Sequence, residues 1–276
     1  MSARGAAIGG LVALLLCAGG AGWHWVGHGS SPDAAPAAPA SLPVPPVPPR
    51  LVQDPRYEQC LAMLENDPRG AAGFAEGWTD GAEGAAHCRA LAEVALGDVE
   101  IGAGDLQRIA ATSLAPAPAR AAVYEQAAQA WLMAGNAAEA LGASTSALAL
   151  APDNEDLLVD RAVAAAALNR FEDARSDLTH ALEIDPARVE ALVLRATAWR
   201  HLGHLDLAQD DVDRALALDP ENAEALLERG ILRQRHDDAA GARGDWQRAI
   251  ELAPNSATAD LAEQNLALLA AGPADR

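Results

Sequence analysis

Two groups of side chains in this 276-residue chain are of a type that could do chemistry: the cysteines Cys60 and Cys88, and the histidines His201, His204 and His236 with Asp237. Cys60 and Cys88 fall on what read as the first helices of adjacent hairpins, where neighbouring helices run side by side. In an exported chain they are expected to form a disulfide, with two buried thiols as the alternative. Three imidazoles and a carboxylate are ligands suited to zinc or copper, but their spacing matches no compact metal motif. A metal-dependent enzyme using His201, His204 and His236 is therefore the remotest of the readings. No thiol pair followed by histidine suggests covalent haem, and no glycine-rich loop suggests bound phosphate. Serine hydrolase, glycosidase and deaminase readings lack a constellation. No catalytic residue, cofactor, metal or small-molecule substrate is expected.

The elements that position these residues follow from composition and period. Half of the residues are hydrophobic but only 4% are aromatic, and alanine is abundant. That mixture suits close-packed helices, because alanine has the best helix propensity while strands favour aromatic and β-branched residues. The formal charge is −19, every cation is arginine, and only Arg4, Asp33 and Arg50 are charged before Leu51. An acidic body without a basic stripe repels phosphate backbones, so nucleic-acid binding is not expected.

Pro152, Pro186, Pro220 and Pro254 recur every 34 residues, each two places after a Leu or Ile that closes an apolar-periodic run. A fixed period of this length marks a helical solenoid, in which each hairpin buries its face against its neighbours. The regular units are 121–154, 155–188, 189–222 and 223–256. Small residues recur where helices approach most closely: Ala128, Ala162, Ala196 and Gly230 in the first helix, Ala140, Ala174, Ala208 and Ala242 in the second. A degenerate unit, 83–120, aligns Leu96-Gly97 with Leu202-Gly203, and its loop Ser113 to Arg120 carries the residues that break the period. Residues 51–82 read as a terminal hairpin divided at Asp67-Pro68, and 257–276 as a capping helix with a tail.

Ahead of the array, Gly5 to Trp23 is free of charge and preceded by Arg4, which reads as an export signal within residues 1–27. It is either a cleaved signal peptide or an uncleaved anchor with Trp23 and Trp25 at the outer boundary. Residues 28–50 hold eight prolines and no apolar periodicity. They suit an extended stalk.

The small residues at the eighth, twentieth and twenty-seventh places, with proline at the thirty-second, resemble the tetratricopeptide repeat family. The resemblance implies an all-α, right-handed superhelix of antiparallel helix pairs whose first helices line a concave groove for peptides or protein surfaces. It implies no chemistry, and the fold alone does not name a partner. One departure from the family is electrostatic. The seventh place holds Arg89, Arg161, Arg195 and Arg229, and the twenty-third holds Asp105, Asp177, Asp211 and Asp245; the remaining copy has Ala127 with Ala143. Because both charges occur together or not at all, an ion pair is expected within each repeat. Pairing between successive repeats would leave Arg161 opposite Ala143.

Family geometry places Glu125, Gln129, Leu132, Val159, Val163, Ala166, Val193, Thr197, Arg200, Leu227, Ile231 and Gln234 along the groove, with Asp156, Glu190 and Glu224 as an acidic edge. That is expected to be an apolar strip beside carboxylates, suited to an amphipathic helix or an extended segment with basic flanks. The lysine and asparagine clamp with which some members hold a terminal carboxylate is absent, its places being taken by Glu125, Val159, Asp160, Val193 and Leu227. The expected function is a non-catalytic adaptor or scaffold for a protein or peptide partner, held at the outer face of a bacterial inner membrane by the N-terminal segment. The alternatives are a soluble periplasmic form after cleavage, and an assembly chaperone for an exported client such as an apocytochrome or outer-membrane precursor.

Overall fold

The computed structural model of the chain describes residues 50–271. The signal or anchor segment at 1–27, the proline-rich linker up to residue 49 and the last five residues lie outside the described residues. Among the described residues there are thirteen α-helices and no strand, and no helix is long and apolar enough to cross a membrane.

The terminal hairpin is α1 (Pro55–Met63) and α2 (Pro68–Gly77), and the degenerate unit is α3 (Ala82–Leu96) and α4 (Val99–Thr112). The regular units follow as α5 (Ala117–Met133) with α6 (Ala137–Leu150), α7 (Glu155–Ala167) with α8 (Phe171–Ile184), α9 (Val189–His201) with α10 (Leu205–Leu218), and α11 (Ala223–Arg235) with α12 (Ala239–Leu252). A last helix, α13 (Ala257–Ala271), closes the stack. Helix α5 begins four residues before the period predicts, so the irregular loop is only Ser113 to Pro116. Pro116 and Pro118 stand at its start, where a missing backbone N–H costs no helical bond and the fixed φ favours the first turn.

Local chemistry sets the helix boundaries. Asn136, Asn154, Asn222 and Asp238 accept from the backbone N–H three residues on, satisfying a donor that the first turn leaves unpaired. Between the two helices of each unit the chain passes once through the left-handed region. Gly97, Gly135 and Gly203 occupy that turn in three units; in the other two it is held by Asn169 and Asp237, whose φ values are 59° and 61°. Asparagine and aspartate are the residues that tolerate this conformation best after glycine.

The core is a continuous alanine-lined stack. The alanines at the eighth, twentieth and twenty-seventh places are at most 1% exposed, which lets the helices meet closely and keeps packing dense. Gly230 replaces alanine in the eighth place for a visible reason: a Cβ there would lie 2.3 Å from Nε1 of Trp246, which fills the space and donates to the carbonyl of Leu227. From α5 onward each first helix touches the next, while successive second helices contact each other far less. The stack therefore curves with the first helices on its inner side.

Candidate interaction surface

The inner face differs from the open apolar strip that the repeat pattern suggests. Leu132, Val159, Val163, Ala166, Val193, Thr197, Arg200 and Leu227 are all buried, none more than 7% exposed. Glu125, Gln129, Ile231 and Gln234 keep intermediate exposure. The cause is the close approach of successive first helices, which draws the fifth, ninth and twelfth places into the seams between repeats.

Those seams are partly polar, through a register place that the sequence reading passed over. The sixth place holds Gln126, Asp160, Leu194 and Glu228. Gln129 donates to Asp160 at 3.1 Å across the α5–α7 seam. Across the α9–α11 seam, Glu228 is fully buried and accepts from Arg200 at 2.5 Å and from Thr197 at 3.4 Å. Between them, Val163 of α7 and Leu194 of α9 are apolar and both 3% exposed. A periodic comparison of the sixth place would have exposed this, since three of its four residues are polar in a position flanked by core.

A third polar seam lies at the amino-terminal end. Tyr57 of α1 hydrogen-bonds to Nδ1 of His87 on α3, and Nε2 of His87 meets Oε1 of Gln126 on α5 at 2.6 Å. All three side chains are buried. Burial pushes the His87 pKa down to about 4 from an ordinary 6.5, opposed by the Gln126 hydrogen bond and assisted by the charge of Arg50. Unfolded chain therefore takes up this proton below pH 6.5 while folded chain does not until about pH 4. Stability is full above pH 6.5 and falls through that window by roughly 3 kcal/mol. Urea unfolding at pH 7 and at pH 4.5 should show the loss in the wild type and much less of it in His87→Gln. That comparison also cancels the opposite trend from carboxyls whose pKa is raised.

What remains accessible on the inner face is a ledge of carboxylates at the amino ends of the first helices. Asp156, Glu190 and Glu224 hold the second place of α7, α9 and α11, where the helix dipole favours negative charge. Glu224 accepts from the Thr258 hydroxyl at 3.3 Å, and Arg188 donates to Asp156 at 2.8 Å and to Glu190 at 3.2 Å. Burial, then the neighbouring Asp156 and Glu224 charges, raise the Glu190 pKa, and Arg188 opposes them. Deeper in the ledge, burial first and the Glu125 carboxylate second push Asp160 well above the usual carboxylate range. Glu125, Asp156, Asp160, Glu190 and Glu224 thus act on one another along one ledge, with Arg188 bridging Asp156 and Glu190.

The outer side carries the charges of the seventh and twenty-third places. Arg161–Asp177, Arg195–Asp211 and Arg229–Asp245 form two-pronged pairs with shortest contacts of 2.6, 2.7 and 2.7 Å. Arg89–Asp105 is looser at 3.8 Å, because Arg108 engages Asp105 at 2.6 Å. Arg195 also donates to Thr179 of the preceding unit, tying neighbours together. Beside these pairs an open hollow of about 650 Å³ is lined by Trp199, Leu207, Arg175 and Arg214, with Arg175 stacked over the Trp199 ring.

Cys60 and Cys88 are joined, with both sulfurs inaccessible and the Cα atoms 6.2 Å apart, linking α1 to α3. His204 and His236 line one hollow, but His201 does not share it. His201 stacks flat on Phe171 at 4.1 Å, drawn toward the preceding unit, while His204 meets Trp199 edge-on at 5.4 Å. Among the described residues no group of three His, Cys, Asp or Glu is placed to hold a metal ion. The remote reading of a metal site at His201, His204 and His236 therefore finds no such grouping among the described residues.

A stack of helical hairpins with a continuous alanine core, an ion-paired outer side and a carboxylate ledge inside defines an α-solenoid of the repeat class. The tetratricopeptide repeat family model matches residues 156–188, so that unit is a tetratricopeptide repeat, and the array has the tetratricopeptide-type fold. Similar solved structures include a thermophilic tetratricopeptide protein of Thermus thermophilus, 21% identical over 68% of this chain and 99% of that one, with a TM-score of 0.54. Cut9-Hcn1 of the APC/C is 17% identical over 76% of this chain and 42% of that one, with a TM-score of 0.56. The tetratricopeptide domain of Arabidopsis OM64 is 30% identical over 42% of this chain and 95% of that one, with a TM-score of 0.41. No curated protein matches the chain by sequence.

Proposed function

We propose that the chain is a non-catalytic adaptor that binds a protein segment on the inner face of its array, and that the segment is basic. The observation that carries this reading is the ledge on which Asp156, Glu190 and Glu224 hold the second place of successive first helices, with Glu125 and Asp160 beside them and Arg188 bridging Asp156 and Glu190. A partner's lysine or arginine would meet these carboxylates with charge-assisted hydrogen bonds, whereas an apolar helix finds the fifth-place side chains of three units already buried. The cell-envelope setting belongs to the same proposal. A buried disulfide fits an oxidising compartment, and the uncharged run from Gly5 to Trp23 supplies an export signal.

The test is a titration of the full array with fluorescent hexa-arginine and hexa-glutamate peptides. Binding of the basic peptide alone is expected, weakening with salt and at least tenfold weaker for Asp156→Asn/Glu190→Gln/Glu224→Gln. Equal binding by that triple variant would overturn the reading.

A further inference from the structure

The last three regular units and the capping helix allow the residue that precedes each first helix to be compared at a fixed place. Asn154, Asn222 and Ser256 stand there before α7, α11 and α13, and each side chain accepts a backbone N–H of the first turn, from Leu157, Ala225 and Ala259. Before α9 the same place is Arg188, which makes no cap hydrogen bond. Arginine cannot accept, so this helix begins without the contact that α7, α11 and α13 have.

What the chain obtains instead is a guanidinium held between the second-place carboxylates of two successive units. Arg188 is only 14% exposed as a side chain and bridges Asp156 to Glu190. Oε1 of Glu190 is buried without a hydrogen-bond partner among the described residues, and Glu224 lies close enough to act on the same carboxyl. The bridge lies in the middle of the ledge, so a cation arriving from outside meets an internal one already in place.

Resting on the basic-segment reading above, we propose that Arg188 is a built-in competitor that occupies the Asp156–Glu190 pair and is displaced by an arginine or lysine side chain of the partner. Arg188 is a positioning and selectivity residue here. It holds the two carboxylates in the geometry a guanidinium requires, and it ensures that only a ligand with several correctly spaced cations outcompetes it. Single cations gain little by exchanging with a tethered arginine, since the tether supplies a high effective concentration.

Arg188→Asn introduces the residue that two sibling units use, and Arg188→Gln removes the charge without adding the cap; circular dichroism confirms folding of each. Both are expected to bind hexa-arginine about tenfold more tightly than wild type at low salt, and to bind free arginine methyl ester where wild type does not. Arg188→Lys is expected to behave as wild type. The gain should vanish when Asp156→Asn/Glu190→Gln is added. Unchanged or weaker binding by both neutral variants, with wild type still binding the basic peptide, overturns the competitor and leaves the ledge standing. Absence of basic-peptide binding by wild type and variants alike overturns both.

Discussion

Glu228→Ala is expected to destabilise the α9–α11 seam by roughly 3–5 kcal/mol, the usual consequence of removing one partner of a buried ion pair. Glu228 is fully buried and Arg200 is 5% exposed, so the variant leaves a guanidinium with no water and no carboxylate. Thr197 loses the same acceptor, though it keeps its bond to the carbonyl of Val193. The loss is traceable to the pair because two buried charges can be replaced together. Arg200→Met/Glu228→Met should recover most of the stability, since an apolar pair of similar volume avoids the desolvation cost. In a solenoid each unit is stabilised by its neighbours, so the effect should be regional. Hydrogen exchange should accelerate in α11, α12 and α13 and change little in α3 or α4. A Glu228→Ala cost below about 1 kcal/mol would contradict the seam geometry.

Cys60→Ser/Cys88→Ser is expected to cost about 3–4 kcal/mol at the amino-terminal end. The bridge closes a loop with a sequence separation of 28, and removing it restores to the unfolded chain the entropy that such a loop forfeits. The terminal hairpin needs this help, since α1 and α2 have only 9 and 10 residues and helices this short are marginal on their own. Both sulfurs are inaccessible, so reductant should act only as the hairpin opens. Intact protein mass should rise by about two daltons on reduction after denaturation, and slowly without it. The serine variant should show α1 and α2 unfolding at lower urea than the repeats. Coincident unfolding at the wild-type midpoint would contradict this role.

The architecture could be read from the sequence because its signals are repeated and local. Prolines at a 34-residue spacing fix where the second helices end, and Leu150, Ile184, Leu218 and Leu252 close them at that same interval. The alanines at three places mark close helix contacts. The charges of the seventh and twenty-third places could be paired by comparing copies, because both are absent together in the unit that has Ala127 and Ala143. The inner face was not legible in the same way. Whether Val159, Val193 and Leu227 line a groove or fill a seam depends on the distance between successive first helices, which no single repeat encodes. Burial of the sixth place follows from that same distance, so Glu228 and Asp160 looked like ordinary helix-surface carboxylates. His87 and Gln126 lie in the degenerate unit and the first regular one, where the period offers no sibling for the pairing. Arg188 stands in the sequence where Asn154 and Asn222 do, but its role follows only once the carboxylates on either side are placed.

The central claim is that the inner ledge is where a partner binds, and a photo-crosslinking amino acid placed on the intact chain in cells tests it most directly. Gln129 and Ile231 are the positions to use, being inner-face residues with open surface, whereas Val193 and Leu227 are sealed in seams at 1% and 0% exposure. Leu207, 43% exposed on the outer side, serves as the control. The account predicts crosslinks from Gln129 and Ile231 that map to a lysine- or arginine-bearing segment and are lost in Asp156→Asn/Glu190→Gln/Glu224→Gln. Crosslinks formed from Leu207 alone, or from the inner face to an uncharged segment and unaffected by the triple variant, would contradict it.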